Sequence, residues 1–323
     1  MQTEQPKIVK KNIVKKRVVK VPVIDDFCNK VIQADCIEVL RNLPDESVHL
    51  IVADPPYWKV INEKWDYQWR TETDYINWCR EWFTEAHRVL KKGGSFYLFG
   101  YFRTLALLLT ELVDKNGFEL RQQIIIDKGM RSMGGRATKN YKMFPNVTES
   151  VLFLVKDSKP FIKEYLKVQQ KKKGYTSKQI NEMLGVKSNG GGMWSIYTGE
   201  NVCEQTPTRE LWEKLQKVLE FDLPYEEIAI TFNAQMGYTD VWTDINFYSE
   251  KRFHPTQKPI TLIERIIKAS SDEGMIVLDP FLGAGSTAIA AQNLKRKYIG
   301  IELDEKYCEI AKQRLEELQN PMF

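Results

Sequence analysis

Apolar positions in this chain gather into short unbroken runs separated by stretches in which they recur at helical spacing. Val31-Ile32, Val48 to Ala53, Ser95 to Phe99, Arg121 to Asp127, Ser150 to Val155, Met275 to Leu278 and Tyr298 to Ile301 have the length and residue types of buried strands. Between them, helices are predicted over Cys36 to Leu43 and over a segment where Ile76, Cys79, Phe83, Ala86 and Leu90 repeat up to a Gly93-Gly94 stop. Further helices are predicted over Thr104 to Asp114, over a segment carrying Ile260, Ile263 and Ile267, and at the end of the chain, with Tyr307, Ile310, Ala311, Leu315 and Leu318 inward. Strands that alternate with helices in this way predict a doubly wound, mostly parallel α/β sheet covered on both faces.

The alternation stops at Asp157 and resumes near His254. The intervening stretch holds the basic run Lys171-Lys172-Lys173, a predicted helix from Ser177 to Leu184 closed by Gly185, and the glycines Gly190-Gly191-Gly192. A second helix, opened by Thr206-Pro207-Thr208, has Leu211, Leu215, Val218 and Leu219 inward. Thr176 to Val186 resembles the first helix and turn of a helix-turn-helix unit, but glycines stand where a recognition helix should begin, so a plain helical cap serves equally.

Two strand ends carry chemistry. Val48 to Ala53 runs into Asp54-Pro55-Pro56-Tyr57-Trp58, where two prolines stiffen a turn that presents an acid and a ring. Met275 to Leu278 runs into Asp279-Pro280-Phe281-Leu282-Gly283-Ala284-Gly285-Ser286-Thr287. There the glycines let backbone approach a ligand, and Ser286-Thr287 can open a helix whose free N–H groups face the turn. The next strand ends at Glu302, placed like the carboxylate that accepts the ribose hydroxyls in the dinucleotide fingerprint. The loop is neither G-x-G-x-x-G nor a P-loop with its lysine, which weakens the case for a nicotinamide cofactor or a nucleoside triphosphate.

Charge changes this picture little. Lys+Arg 47 against Asp+Glu 43 gives +4, which permits a polyanionic partner without requiring one. Residues 1–24 form a basic arm, with Lys7, Lys10, Lys11, Lys15, Lys16, Arg17 and Lys20 against the single acid Glu4. Such an arm can lie along phosphates, or it can be a solvated tail or a lysine-guarded edge strand. Five cysteines without C-x-x-C spacing suggest neither a disulfide framework nor a zinc site. With no apolar run near the ~20 residues of a membrane span, the expected place is the cytoplasm, and no metal is expected.

Taken together, Asp-Pro-Pro-Tyr and Asp-Pro-Phe-Leu-Gly-Ala-Gly-Ser-Thr resemble the motifs of the S-adenosylmethionine-dependent DNA amino-methyltransferases, which act on adenine N6 or cytosine N4. The order, with the acidic motif first, an insertion next and the glycine motif last, is similar to the beta-class arrangement, over residues of about 30–156 and 254–318. The resemblance implies a seven-stranded Rossmann-like methyltransferase sheet. Its parts would be the basic arm, a catalytic half at 25–157, a largely helical target-recognition insertion at 158–253 and a cofactor-binding half at 254–323.

On the same resemblance, Asp54, Pro55, Pro56 and Tyr57 are catalytic. The Asp54 carboxylate and Pro55 carbonyl would accept the two N–H bonds of the target amine, with Tyr57 stacking on the flipped base and Trp58 either extending that platform or packing. Asp279, Pro280, Phe281, Gly283, Gly285, Ser286 and Thr287 would line S-adenosylmethionine, with Glu302 on the ribose and Asp35 beside the adenine. His254, Thr256 and Lys258 would meet the cofactor carboxylate. The partner implied is double-stranded DNA, in a bacterial or phage setting at the nucleoid, with a homodimer and a companion restriction nuclease left open. Asp at position 54 favours adenine over cytosine N4. RNA or a protein amide as substrate and a catalytically silent DNA-binding partner subunit are the competing readings.

Overall fold

The computed structural model describes residues 23–59, 66–133, 144–156, 161–185, 192–198, 207–225, 228, 232 and 237–319. Most of the basic arm, Trp65, Gly190, Gly191 and Thr206 lie outside the described residues.

The chain enters the sheet at β1 (Lys30–Gln33) and turns into α1 (Cys36–Asn42), whose N-cap is Asp35. β2 (Val48–Ala53) follows, then α2 (Glu72–Val89), opened by a reciprocal capping box between Thr71 and Asp74. The predicted glycine stop after this helix is instead part of β3 (Leu90–Gly100), which begins as soon as the helix ends. Gly93 takes φ +76° and the β2–β3 register shifts beside it, the signature of a bulge. A Cβ on Gly94 would stand 2.7 Å from Leu90 Cδ1 and 2.9 Å from the His49 carbonyl oxygen, so close strand approach explains the pair of glycines.

α3 (Phe102–Thr110) runs into a π-helical turn (Glu111–Lys115) and delivers β4 (Phe118–Asp127), after which β5 (Thr148–Lys156) returns. Four helices then form a separate layer: α4 (Phe161–Lys173), α5 (Ser177–Met183), α6 (Gly192–Thr198) and α7 (Arg209–Leu219). They share their own core, in which Leu166, Ile180, Trp194, Trp212 and Leu215 are fully or almost fully buried. Gly192, the last residue of the glycine run, opens α6, and Asn181 accepts the Trp194 amide at 2.9 Å. The two-residue β6 (Val241–Trp242) leads on to α8 (Ile260–Ser270), β7 (Ile276–Asp279), α9 (Ser286–Asn293), β8 (Lys297–Glu302) and α10 (Glu305–Gln319).

Among the described residues the sheet has eight strands in the order β1-β8-β7-β2-β3-β5-β4-β6, one more than the expected seven. The extra strand is β6, which pairs with the edge of β4 and is too short to show in a hydrophobic pattern. β5 runs antiparallel to both β3 and β4, while the other pairings are parallel. Alternate side chains serve the two faces: on β2, Ile51 and Ala53 enter the core beneath α1 and α2, and Leu50 and Val52 enter the core beneath α8, α9 and α10. Trp242, Ile245 and Phe247, within the stretch assigned to the insertion, pack into this second core. On α10, Cys308, Ala311 and Leu315 face inward, whereas Leu318 is exposed rather than inward.

Candidate active site

The sheet winds outward in both directions from the boundary between β7 and β2, where Leu50 pairs with Val277 and Ile51 with Leu278. Ligands of open α/β sheets bind at the carboxyl edge of such a switch point. Asp54 leaves the end of β2 there, Asp279 ends the neighbouring β7, and a cavity of about 400 Å³ opens between them. Its lining includes Asp54, Pro55, Pro56, Tyr57, Asp35, His254, Thr256, Lys258, Asp279, Pro280, Phe281, Gly283, Ser286, Thr287 and Glu302. Gly285 is the one sequence-predicted site residue outside that lining: it caps α9 at φ +90°, and a Cβ there would lie 3.0 Å from Ala311 Cβ. Its glycine serves the turn and the approach of α10.

On the β2 side the turn is held from several directions. The Tyr75 hydroxyl donates to the Pro56 carbonyl at 2.9 Å, and the Thr104 hydroxyl to the Tyr57 carbonyl at 3.5 Å. Trp58 packs: it stacks on Tyr75 with an interplanar angle of 13° and donates its indole N–H to the Trp69 carbonyl at 3.3 Å. Trp58 and Lys59 both take left-handed backbone angles, φ +60° and +59°, a costly pair for such bulky residues that these contacts fix in place.

The acid itself sits in a network. Lys258 Nζ donates to Asp54 Oδ2 at 2.5 Å, and the Tyr57 hydroxyl donates to Asp54 Oδ1. The same ammonium pairs with Glu149 Oε1 at 2.9 Å and donates to the Thr256 carbonyl at 3.3 Å. Glu149 Oε1 also lies 3.2 Å from the Tyr57 hydroxyl, and its Oε2 lies 3.6 Å from Lys128 Nζ. Tyr101 packs edge-on against Tyr57 at 5.3 Å. An ammonium has three N–H donors, and four acceptors surround Lys258 Nζ: Asp54, Glu149, the Thr256 carbonyl and the Tyr57 hydroxyl, the last also at 3.3 Å. The structure thus places Lys258 on the acidic turn rather than toward the glycine loop.

Burial pushes the Asp54 carboxyl above its ordinary range, with the Lys258 ammonium opposing. Burial acts the same way on Glu149, but Lys258 and then Lys128 outweigh it and hold that carboxyl below its usual range. Burial would depress Lys258, and Asp54 and Glu149 together raise it instead, so the ammonium stays charged. The Tyr57 phenol is raised well above its usual value by burial and by the two carboxylates, and so remains a donor.

On the β7 side, Asp279 Oδ1 accepts the Phe281 amide at 2.9 Å, and burial pushes its carboxyl up to about 7. Glu302, in the cavity lining, accepts the Gly283 amide at 2.7 Å through Oε2 and the Asp304 amide at 2.8 Å through Oε1, with the Leu303 amide also bonding the carboxylate. Phe281 stands against Trp82 and Trp78, at 5.1 and 5.7 Å, and with Trp78 gives the cavity an aromatic wall. Asp35 lines the cavity, and as the N-cap of α1 its Oδ1 accepts the Ile37 amide at 2.8 Å. The His254 ring packs edge-on against Tyr307, and burial lowers its imidazole to about 4, so it is neutral at neutral pH. The Thr256 amide points at Nδ1 from 3.2 Å, which assigns the ring proton to Nε2.

Sequence reasoning missed Glu149, Lys128, Tyr101 and Trp78. The only available signal was an acid immediately before the apolar run Ser150 to Val155, and nothing in that pattern reveals which end of the strand faces the site. Among the described residues no cluster of His, Cys, Asp or Glu could hold a metal ion, and no helix is long and apolar enough to cross a membrane.

A doubly wound sheet with an acidic turn and a glycine loop on adjacent strands of its switch point is the architecture of the α/β methyltransferases. The DNA methylase family profile matches residues 48–313, and the chain belongs to that family, the S-adenosylmethionine-dependent DNA amino-methyltransferases. It is 30% identical over 292 residues to the DNA adenine methyltransferase YhdJ of Escherichia coli (strain K12), covering 88% of this chain and 82% of that one. It is 28% identical over 317 residues to the type II methyltransferase M.HinfI of Haemophilus influenzae, covering 92% and 71%. Among solved structures, a DNA modification methylase of Thermus thermophilus complexed with S-adenosyl-L-methionine superposes with TM-score 0.54 at 24% identity, over 90% of this chain and 94% of that one. The cytosine-N4-specific PvuII DNA methyltransferase does so with TM-score 0.56 at 17% identity, over 88% and 85%. These last two likenesses bear on the fold.

The family's methyl donor is S-adenosylmethionine, and the cavity fits it. Ser286 Oγ is buried in the lining with no hydrogen-bond partner among the described residues, a polar atom left for a ligand. Gly283, at φ +53°, opens the loop, and the Glu302 carboxylate lines the cavity as a hydrogen-bond acceptor.

Proposed function

We propose that this chain transfers a methyl group from S-adenosylmethionine to the exocyclic N6 of an adenine flipped out of duplex DNA. The observation that carries this reading is the convergence of Asp54 and Asp279 on one cavity from adjacent strand ends. Asp279, Phe281, Ser286, Thr287 and Glu302 hold the donor, with Asp35 at its adenine; bound there, S-adenosylmethionine supplies an electrophilic methyl on a sulfonium. His254, neutral and backed by Tyr307, packs beside Gly283 of the glycine loop and closes the wall there.

The lone pair of an amine conjugated to a purine is delocalised, so the nitrogen must be made pyramidal before it attacks. Asp54 and the Pro55 carbonyl accept its two N–H bonds and turn the lone pair toward the methyl. With the donor bound, the N–C bond would form as the S–C bond breaks, the bonding pair staying on sulfur, and the proton released by the alkylated nitrogen would pass to the Asp54 carboxylate. No covalent bond to the protein is needed. A base within the duplex cannot reach this cavity, so it must leave the stack, and Tyr57, in the lining with Tyr101 edge-on against it, is the aromatic surface it would meet. Adenine is favoured over cytosine by Asp54, following the resemblance noted above, and by the relationship to YhdJ.

The test is transfer of labelled methyl to duplex DNA followed by digestion to nucleosides. Label is expected in N6-methyladenine; label in N4-methylcytosine would overturn the adenine assignment, and transfer to RNA alone would overturn DNA as substrate. Asp279→Ala removes the acceptor that shapes the glycine loop through the Phe281 amide. It is expected to weaken cofactor binding by at least about tenfold, an effect of ~1.4 kcal/mol or more, read by calorimetry.

A further inference from the structure

We propose that Glu149 is a positioning residue for methyl transfer, orienting the Asp54 carboxylate through the ammonium of Lys258. The proposal rests on the functional reading above and concerns a residue that touches neither cofactor nor target amine in that reading.

Glu149 reaches the site because β5 is the reversed strand. The parallel strands present their carboxyl ends at the cavity, so β5 presents its beginning, and Glu149 is its second residue. Its side chain is 10% exposed and that of Lys258 7%. Among the described residues, the charged and titratable groups around Glu149 come from several elements. Asp54 and Tyr57 come from the turn after β2, Tyr101 follows β3, Lys128 follows β4, and Lys258 with His254 precedes α8; Asp279, from the end of β7, faces Asp54 across the cavity.

The arrangement is two carboxylates against two ammonium groups, with Lys258 shared between Asp54 and Glu149 and Lys128 on the far oxygen of Glu149. Sharing matters for chemistry. An ammonium committed wholly to Asp54 would draw the carboxylate lone pairs away from the amine. Held between two acids, Lys258 fixes the orientation of Asp54 while part of its positive charge is spent on Glu149. The Tyr57 hydroxyl, within reach of both acids, ties the stacking ring to the same frame.

The experiment is Glu149→Gln in the full chain, which keeps the side-chain shape and an acceptor oxygen but removes the charge. Glu149 raises the Asp54 carboxyl by repulsion, so its neutralisation should move the acid limb of the kcat–pH profile to lower pH. In parallel, kcat should fall by about tenfold or more, the scale on which partners that orient a functional group act. Cofactor affinity, measured by calorimetry, should stay within about twofold. Unchanged kcat, a loss of kcat with an unmoved acid limb, or a loss of cofactor affinity would each overturn the proposal. Glu149→Asp, which keeps the charge, covers the case in which the glutamine variant does not fold: a reduced kcat on a wild-type acid limb is expected, and wild-type kcat would overturn it. Wild-type protein is the control for the functional reading. If it transfers no methyl to DNA, that reading fails; if it does and Glu149→Gln behaves like it, only the role of Glu149 fails.

Discussion

Replacing Asp54 by Ala is expected to cut methyl transfer by about 10²–10³-fold or more while leaving the affinity for S-adenosylmethionine within about threefold. The separation follows from placement. Asp54 hangs from the end of β2, whereas the glycine loop and Glu302 belong to β7 and β8. The variant should also fold, because its network is redundant. Lys258 keeps Glu149 at 2.9 Å and the Thr256 carbonyl at 3.3 Å, and the Tyr57 hydroxyl can turn to Glu149 Oε1 at 3.2 Å. Asp54→Asn sharpens the measurement. It preserves shape and one acceptor oxygen but loses the charge, so a rate near that of Asp54→Ala would assign the effect to the carboxylate. Labelled transfer and calorimetry on the same preparations decide it, and an Asp54→Ala protein with more than a tenth of wild-type activity would sink the catalytic assignment.

The two halves of the site were unequally visible in the sequence. Both acidic motifs are local: an apolar run, an acid and a turn of Pro or Gly are contiguous, so their chemistry and their place at strand ends can be read directly. The doubly wound sheet was visible for the same reason, since alternation of strand and helix is a property of neighbouring residues. Glu149 was hidden because its contribution depends on strand direction. An acid before a parallel strand would lie at the opposite edge of the sheet, and hydrophobic pattern does not encode reversal. Lys258 appeared as one cation in His254-Pro255-Thr256-Gln257-Lys258-Pro259, whereas its partner Asp54 is 204 positions away. The bulge at Gly93 and the two-residue β6 were missed because both depend on pairing with another strand. The four-helix layer was half legible, with α5 announced by its Gly185 stop and α7 by Thr208 and amphipathic spacing. α6 opens on a glycine, which in isolation argues against a helix.

Lys258→Met should be the most damaging substitution for stability, and the damage should depend on pH in a defined direction. The ammonium stands between two buried carboxylates, and removing one partner from such a cluster typically costs about 3–5 kcal/mol because the remaining charge is left buried without compensation. Lys128 still faces Glu149 Oε2 at 3.6 Å, so the deficit falls mainly on Asp54, whose carboxyl is already raised by burial with Lys258 in place. Without Lys258 it rises further. A carboxyl raised in the folded state binds its proton more tightly there than in the unfolded chain. The variant therefore keeps its stability below the unfolded carboxylate range, near pH 4, and loses it progressively as pH climbs toward the folded value. Denaturant unfolding of both proteins at pH 5 and pH 8 reads this directly: the gap between wild type and Lys258→Met should widen at the higher pH. A gap of the same size at both would mean that Lys258 acts by packing alone, and that the charge shared among Lys258, Asp54 and Glu149 does not govern the site.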